Sequence, residues 1–423
     1  MSAICDFSAE ELRRLERELD ASYQSWQARN LKLDMSRGKP AASQLDLCNG
    51  ALAELKTTRT ASGADARNYG ILDGLPEMRE YFGKLLDLDP ANITIGGNSS
   101  LNLMYDLLVQ LVLFGTAGQK PWGKLDKVKF LAPAPGYDRH FAITEKLGFE
   151  MILIDMTPTG PDMDQVEKLV AADPAIKGIW CVPLYSNPQG ICYSDETVAR
   201  LGKMKCAAPD FRIFWDNAYG VHHLDGETEL ADIFASCNAG GNPDRAYYFF
   251  STSKITFPGA GVSLVATSAA NKKELLSRLT IETIGYDKLN QLRTLQFLPT
   301  PEALKAHMKK LAAEIKPKFD LVLGVLEKEF AGTGLLSWTI PHGGYFIAVD
   351  TLDGCAKATV ELAADAGVKL TGAGAAFPYH RDPRDRNIRL APTYPTLDEL
   401  QQAIRLFCVC AKLAGVRKLL ASK

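Results

Sequence analysis

The middle of this chain alternates between apolar runs and segments with helical spacing. Several apolar runs are continuous, without intervening polar residues, which is typical of strands that are covered on both faces of a sheet. The pattern predicts an α/β fold in which helices sandwich a large, mostly parallel sheet. The predicted strands of this part are residues 128–132, 151–154, 176–182, 211–215, 246–250 and 262–267.

Towards the N-terminus, residues 8–29 have the apolar spacing of a helix, and Ser8 and Glu11 form the pattern of a capping box. Further on, a short strand over 93–95 leads through small residues into a predicted helix over 101–114. Exposed N–H groups and the positive end of the helix dipole would make this helix start a site for an anion. A well-capped helix without a ligand explains the same stretch equally well.

The last hundred residues predict a smaller α+β unit. The predicted elements are helical material over 289–326 interrupted at Pro299, Pro301 and Pro317, strands within 341–349 and 387–392, and a final helix over 397–413. We therefore divide the chain into three parts. These are an N-terminal segment that joins the small domain (1–50), a large domain (51–300) and a small C-terminal domain (301–423).

Polar motifs follow the ends of four predicted strands in the large domain. Ligands of open α/β sheets bind in the crevice beyond the carboxyl ends of the strands. We therefore expect the four motifs to form one site, although they are far apart in the sequence. The motifs are residues 133–137, 183–190, 216–219 and 251–254.

The last motif, Ser251-Thr252-Ser253-Lys254, has the most distinctive chemistry. A lysine at the end of a buried strand lies in dry surroundings, which disfavour its charged form and leave more free amine at neutral pH. A free amine forms an imine with an aldehyde, and the preceding hydroxyl groups could hold a phosphate. Taken alone, so short a motif is better explained as an ordinary loop lysine.

Composition and charge narrow the class of protein. The chain has 423 residues, with 48 Lys and Arg against 50 Asp and Glu. The net charge of −2 therefore does not show the excess of basic residues that binding to nucleic acid or an anionic membrane requires. The N-terminus lacks the zones of a signal peptide, and the most apolar segment, 101–114, is too short for a membrane span. Nine widely spaced cysteines without a Cys-x-x-Cys favour reduced thiols in a cytoplasmic protein over disulfides or a zinc site.

In their order along the chain, the predicted elements and motifs resemble the fold-type-I aminotransferases that use pyridoxal 5′-phosphate (PLP). The resemblance covers nearly the whole chain. The resemblance depends on motifs that match in sequence and spacing: Asn187-Pro188-x-Gly190, Asp216-x-Ala218-Tyr219, Ser251-x-Ser253-Lys254 and the late Arg389. It implies the PLP-dependent transferase fold, with a sheet of the seven-stranded type in a large PLP-binding domain.

Three further stretches, residues 36–40, 135–140 and 251–256, are similar to one branch of class I. This is the aspartate-aminotransferase-like branch known as the MocR-type aminotransferase family. Regulators of that name carry a winged-helix DNA-binding domain ahead of the module. Here the module begins within about the first 30 residues, so we expect no such domain.

The resemblance implies catalytic roles for three residues. Lys254 would hold the cofactor as an internal imine and then move the proton between substrate and cofactor. Asp216 would pair with the pyridine nitrogen and keep it protonated, which makes the ring an electron sink. Tyr219, together with Asn187, would donate hydrogen bonds to the 3-oxygen of the ring.

The resemblance also implies the binding contacts. Tyr137 would stack on the ring. Arg389 would form a bidentate pair with the α-carboxylate of the substrate, assisted by Asn187 and the Gly38 backbone. Tyr69 matches a tyrosine that reaches the phosphate of a neighbouring subunit, which implies a homodimer with shared active sites. The phosphate would be held by Ser99, Ser251, Ser253 and the backbone at Asn98 and Ser100.

One stretch departs from the family pattern. Most relatives have an arginine about eight residues after the imine lysine, where its guanidinium contacts the phosphate. Here residues 257–262 contain no basic residue. We expect the phosphate charge to be met by Arg37, by Arg139 or by a neighbouring chain.

Each motif also has an ordinary explanation. Asp216 could cap a helix, Tyr137 could fill the core, Asn187 could open a turn, and Arg389 could form a surface salt bridge. Their coincidence at predicted strand ends favours a shared site.

We therefore predict a PLP-dependent aminotransferase that moves an amino group between an amino acid, aspartate or glutamate, and a 2-oxo acid by a ping-pong mechanism. A second cation is then needed for the distal carboxylate, and the candidates are Arg37, Arg139, Lys288 and Arg293. Three alternatives use the same cofactor: a β-lyase, an alanine or aromatic aminotransferase, and a sensor that binds PLP without turnover.

Overall fold

The computed structural model describes residues 3–423. Ser8 accepts a hydrogen bond from the Glu11 amide and the Glu11 carboxylate accepts one from the Ser8 amide, which confirms the predicted capping box. Thirteen α-helices lie within the described residues: α1 (Ala9–Gln27), α2 (Ala42–Asp46), α3 (Pro76–Leu86), α4 (Ser100–Phe114), α5 (Asp138–Lys146), α6 (Met163–Ala172), α7 (Asp195–Lys203), α8 (Ile233–Ala239), α9 (Ala269–Glu282), α10 (Lys288–Phe297), α11 (Pro301–Phe330), α12 (Ala356–Asp365) and α13 (Leu397–Ala421).

The same residues contain thirteen β-strands: β1 (Leu33–Asp34), β2 (Ile93–Ile95), β3 (Lys129–Ala134), β4 (Glu150–Thr157), β5 (Gly160–Pro161), β6 (Ile176–Cys181), β7 (Arg212–Asp216), β8 (Ala246–Ser251), β9 (Ser263–Ala266), β10 (Leu336–Trp338), β11 (Ile347–Thr351), β12 (Val368–Lys369) and β13 (Asn387–Leu390). Eight of them form the large sheet, in the order β2-β9-β8-β7-β6-β3-β4-β5. The pairs from β8 to β4 are parallel, whereas both ends of the sheet are antiparallel. The fold is therefore the predicted α/β class, with a mixed sheet whose centre is parallel.

The central strands are buried on both faces, because their side chains alternate between two apolar clusters. In β8, Tyr248 and Phe250 belong to one cluster, and Tyr247 and Phe249 belong to the other. Successive side chains of a strand point to opposite faces, so a strand between two cores needs apolar residues at every position. This explains the continuous apolar runs in the sequence.

The parallel strands end at one edge of the sheet. β3 ends at Ala134, β6 at Cys181, β7 at Asp216 and β8 at Ser251. The four polar motifs of the sequence follow or include these ends. Because the carboxyl ends of parallel strands meet at the same edge, motifs that are far apart in the chain converge there.

The C-terminal part forms a smaller antiparallel sheet in the order β10-β11-β13. Helices α11 and α13 share its core, which includes Phe319, Ile347 and Phe407. The N-terminal segment lies with this unit, since α1 packs on α13 and β1 pairs with β12. The domain boundaries at residues 50 and 300 stay a prediction.

Pro317 does not interrupt a helix, contrary to the sequence prediction, because it lies inside α11. Proline lacks an N–H, which leaves the carbonyl four residues earlier, that of Ala313, without its helical partner. Both residues are exposed, so water can reach that carbonyl. The predicted break near Pro299 is present between α10 and α11, where Pro301 occupies the first turn and needs no helical partner.

No helix within residues 3–423 combines the length and the apolarity that a membrane span requires. All nine cysteines are free thiols. The closest pair in the sequence, Cys408 and Cys410, lies in the core of the C-terminal unit, so these thiols act as small apolar side chains.

Candidate active site

A small cavity lies where the central strands end. Leu101, Met104, Val182 and Ala218 supply its apolar surface. The predicted site residues that line it are Ser99, Ser100, Tyr137, Asn187, Asp216, Tyr219, Ser251, Ser253 and Lys254.

Lys254 stands in the turn that follows β8, the strand of buried aromatic residues. Desolvation lowers the pKa of its amine, and the negative charge of Asp216 opposes this shift. Its Nζ lies 5.0 Å from the centre of the Tyr219 ring. A lowered pKa leaves more neutral amine at physiological pH, and the neutral amine is the form that attacks a carbonyl.

Asp216 is the last residue of β7 and is only 3% exposed. One carboxylate oxygen, Oδ2, accepts a hydrogen bond of 3.0 Å from His140 Nε2. The other oxygen, Oδ1, is buried and has no hydrogen-bond partner within the described residues. A buried carboxylate oxygen without a partner is costly, so this atom is suited to a cationic N–H that enters the cavity.

His140 is a contact of the site to which the sequence interpretation gave no role. It lies in the first turn of α5, three residues after Tyr137, and is 1% exposed. Its ring stacks on Trp180 at 4.2 Å with an angle of 7° between the planes. The stacked ring holds Asp216 in one orientation. The sequence signal for this contact was the position of His140, one helical turn after the predicted site residue Tyr137.

Three more side chains surround the space between Lys254 and Asp216. Burial raises the pKa of Tyr219 well above its ordinary value, and it raises the pKa of Tyr137 to about 12. Both phenols therefore keep their protons at neutral pH and remain hydrogen-bond donors. Asn187 lies in a turn with a cis Asn187–Pro188 peptide bond, and its Oδ1 accepts a hydrogen bond of 3.3 Å from Arg389.

Hydroxyl groups and a helix start form one end of the cavity. Ser99 caps α4 through a hydrogen bond from the Leu101 amide, so the positive end of this helix dipole points at the cavity. Ser251 donates to Ser253, which donates to the backbone carbonyl of Asn98. The side chain of Asn98 is bound to the Pro258 carbonyl and does not line the cavity.

No arginine lines this end of the cavity among residues 3–423, and Lys254 is the only cationic side chain that lines it. The position eight residues after Lys254 holds Val262, which is 2% exposed and packs in the core of the large domain. Its amide donates to Thr252 Oγ1. The local chain therefore uses this position for packing.

Arg389 lies on β13 of the smaller sheet and does not line the cavity itself, but it contacts Asn187, which does. Its side chain is 9% exposed, so it is not a surface salt bridge. Its Nη1 donates to Asp138 Oδ1 at 2.9 Å, and its Nη2 makes a long contact of 3.5 Å with Thr371 Oγ1. Its Nε is buried and has no partner in the described part of the chain.

Gly38 does not line the cavity but packs against a neighbour of Arg389. A Cβ at position 38 would lie 2.3 Å from the Phe346 ring. That ring in turn lies 4.9 Å from the guanidinium carbon of Arg389. Phe346 therefore connects the predicted backbone contact with the predicted arginine, a link that the sequence did not indicate.

The remaining predicted residues lie elsewhere. Tyr69 is 81% exposed and does not line the cavity. Arg37 and Arg139 are exposed, and the Lys288 ammonium donates to the Gly70 carbonyl at 3.0 Å. Arg293 is half-buried on α10. None of these four cations lines the cavity.

A wider cleft lies between α11 and the loop at 220–228, but it lacks the features of a catalytic site. Two of its lysines, Lys305 and Lys316, form exposed ion pairs with Glu227 and Asp225. Exposed pairs of this kind leave no desolvated reactive group. The smaller cavity, with its buried amine and carboxylate, is therefore the candidate active site.

A family description, "Aspartate amino-transferase", matches residues 7–423. The chain belongs to the aspartate aminotransferase family. An aspartate aminotransferase from Corynebacterium glutamicum is 44% identical over 414 residues, which cover 97% of this chain and 96% of that protein. The crystal structure of an aspartate transaminase from Corynebacterium glutamicum has a TM-score of 0.97 at 43% identity and covers 99% of both chains.

The aminotransferase fold extends to more distant proteins. The crystal structure of LysN, an α-aminoadipate aminotransferase from Thermus thermophilus, has a TM-score of 0.75 at 19% identity, covering 94% of this chain and 96% of that chain. That protein is complexed with N-(5′-phosphopyridoxyl)-L-leucine, a PLP derivative. This member of the aspartate aminotransferase family is thus an aminotransferase of fold type I, and members of the family depend on PLP.

Proposed function

We propose that this aminotransferase moves an amino group between aspartate or glutamate and a 2-oxo acid, using PLP held at Lys254. The observation that carries the proposal is the pairing of a desolvated amine, Lys254, with a buried carboxylate, Asp216, in one cavity. The name of the Corynebacterium glutamicum relative, and of the solved structure from that organism, supports aspartate as a substrate.

The cavity offers a match for each polar part of PLP. A protonated ring nitrogen would satisfy the buried Asp216 Oδ1, which otherwise has no hydrogen bond within the described residues. The hydroxyl groups of Ser99, Ser251 and Ser253 and the start of α4 would receive the phosphate. Tyr137 would cover the ring.

Bound there, PLP supplies an electron sink that allows an amino group to leave one carbon and join another. The side chains supply the remaining functions. Lys254 Nζ would accept the proton from the substrate Cα and return it, since its lowered pKa leaves more of the amine unprotonated and able to act as a base. Tyr219 would remain a hydrogen-bond donor throughout, because its pKa is far above the working pH.

Arg389 would bind the α-carboxylate of the substrate. It is the cation that contacts Asn187 at the rim of the cavity, and its Nε lacks a partner among the described residues. A guanidinium presents parallel N–H groups that match the two oxygens of a carboxylate. We infer that the same Asn187 side chain contacts both Arg389 and the cofactor ring.

We propose that Arg139 binds the distal carboxylate of the substrate. Of the four candidate cations, it is the one next to a cavity residue in the sequence, since Tyr137 is two positions before it. Lys288 is bound to a backbone carbonyl and is buried. Arg139→Gln should raise the KM for aspartate and glutamate about 10-fold or more and leave the KM for alanine unchanged. An equal effect on all three amino acids would assign Arg139 another role.

We propose further that two copies form a dimer through the face that carries Tyr69. Ile281 and Ile284 are exposed apolar residues, 87% and 59% accessible, and Gly285 packs against the Gly70 carbonyl beside Tyr69. Apolar exposure of this kind is typical of an interface. Light scattering should give about twice the 46.2 kDa of one chain. Ile281→Glu should shift the protein to the monomer.

Replacement of Lys254 tests the central claim. Lys254→Ala should abolish turnover and the covalent retention of PLP after borohydride treatment, because no other amine lines the cavity among residues 3–423. The absorbance of the wild type should change when aspartate or glutamate is added without a 2-oxo acid. Lys273→Ala, which removes an exposed lysine of the same domain, is the matched control and should behave as wild type.

The same assays separate the alternatives. Persistent covalent trapping in Lys254→Ala would refute the assignment of the lysine. Release of pyruvate and ammonia without an amino acceptor would favour a β-lyase. Absence of any half-reaction with aspartate and glutamate would refute the substrate class. A response confined to alanine or aromatic amino acids would indicate the corresponding aminotransferase.

A further inference from the structure

We propose that the carboxylate of Asp138, which pairs with Arg389, weakens the binding of substrate carboxylates to this arginine. The pair would thereby set the affinity of the site for these substrates. The inference rests on the proposed function, since it assumes that Arg389 receives the α-carboxylate. Asp138 is the first residue of α5 in the large domain, and Arg389 lies on β13 of the smaller sheet. The pair therefore connects the two units beside Asn187, a residue that lines the cavity.

The contact is short and shielded. Arg389 Nη1 donates to Asp138 Oδ1 at 2.9 Å, and the two side chains are 9% and 27% exposed. The same Nη1 donates to Asn187 Oδ1 at 3.3 Å. A charge pair with such limited access to water is screened less than a surface pair, so the carboxylate offsets much of the charge of the guanidinium.

The remaining donors of Arg389 define where a substrate carboxylate can bind. Nη2 has only the long contact with Thr371, and Nε has no partner in the described chain. These two groups form one edge of the guanidinium, with the parallel N–H geometry that a carboxylate requires. A substrate would therefore bind this edge while Asp138 keeps Nη1.

Two like charges then share one guanidinium. The substrate carboxylate and Asp138 repel each other across Arg389, which weakens binding relative to a site without Asp138. The orientation of Arg389 does not depend on Asp138 alone, since Asn187, Thr371 and the Phe346 ring also contact the guanidinium. Removal of the charge should therefore strengthen carboxylate binding without loss of the binding edge.

The sign of the effect separates this role from ordinary structural support. A residue that only positions Arg389 would weaken binding when replaced. Asp138→Asn keeps an oxygen that can accept from Nη1 and removes only the charge. We expect Asp138→Asn to lower the dissociation constant of succinate, an unreactive dicarboxylate, about 10-fold on the holoenzyme. The KM of aspartate should fall in proportion, with a smaller change in kcat.

Two controls isolate the charge. The α-amide of aspartate lacks the α-carboxylate, so its affinity should not improve in Asp138→Asn. Asp173→Asn breaks a comparable pair, Lys129–Asp173 at 2.7 Å with exposures of 21% and 31%, away from the cavity, and should leave succinate binding unchanged. Asp138→Ser, which keeps a polar group at the helix start, serves as a second variant if the first is poorly folded.

Unchanged or weaker succinate binding in both folded Asp138 variants would overturn the inference, even if the wild type turns over aspartate. An equal gain for the α-amide would also overturn it, because the effect would not act on the α-carboxylate. Turnover of aspartate by the wild type tests the proposed function separately. The ratio of the succinate dissociation constants of Asp138→Asn and the wild type tests the proposed role of Asp138.

Discussion

Gly38→Ala is a small change with a consequence that the structure makes specific. The added Cβ would lie 2.3 Å from the Phe346 ring, whereas ordinary contacts begin at 3.4 Å, so the ring must move by about 1 Å. Phe346 is 6% exposed and cannot turn outwards into solvent. The face of the ring lies 4.9 Å from the Arg389 guanidinium, which would move with it.

Two magnitudes follow from this displacement. Overpacking of a buried ring costs about 1–3 kcal/mol of stability. A misplacement of about 1 Å in a group that orients the substrate costs on the order of 10² in rate. We therefore expect kcat/KM for aspartate to fall about 100-fold in Gly38→Ala, mainly through KM, while the thermal midpoint falls by a few degrees.

Steady-state kinetics and thermal unfolding check both numbers on the same preparation. Gly259→Ala is the control, because Gly259 lies in the turn after Lys254 and a Cβ there meets no atom of residues 3–423 within 4 Å. A Gly38→Ala enzyme with unchanged kcat/KM would refute the reasoning. It would mean that Phe346 can move without displacing Arg389.

Three further predictions concern charge. Asp216→Asn keeps the shape of the carboxylate but not its charge, so kcat should fall by about 10² to 10³ while absorbance shows that PLP remains bound. His222 packs between Tyr219 and Tyr345, and burial lowers its pKa to about 3. The unfolded state takes up a proton near pH 6.5 and the folded state does not, so this residue removes up to about 1.4 kcal/mol of stability per pH unit below pH 6. His222→Phe should therefore lose less stability than the wild type between pH 7 and pH 5 in urea denaturation. Burial and the nearby Glu282 raise the pKa of Asp106 to about 6, so its ionisation opposes folding as the pH rises through that value. Asp106→Asn should be more stable than the wild type by about 1 kcal/mol at pH 8, a gain that should vanish near pH 4 in thermal unfolding.

The site motifs were predictable because each is local. A buried strand followed by a polar turn is visible as a short pattern, and parallel strands bring their carboxyl ends together whatever the loops between them. Lys254, Asp216, Asn187 and Tyr137 therefore line one cavity, as the sequence led us to expect. The resemblance to a known family then gave each of them a proposed role.

Contacts between distant segments were not predictable in the same way. His140 contacts Asp216 across 76 positions of sequence, and Asp138 contacts Arg389 across 251. The sequence shows His140 and Asp138 only as polar residues at the start of a helix. Which partner each one meets depends on how α5 and the smaller sheet are placed beside the large sheet.

The sequence by itself determined the alternation of strands and helices, the apolar strands buried on both faces, and the polar turns at their ends, since these depend on local periodicity. Only the tertiary structure decided that Val262 belongs to the core, that Pro317 continues a helix, and that Arg389 already has a carboxylate partner. The physical reason is that burial and charge pairing are properties of the space between segments. A short stretch of sequence cannot specify which distant residue fills that space.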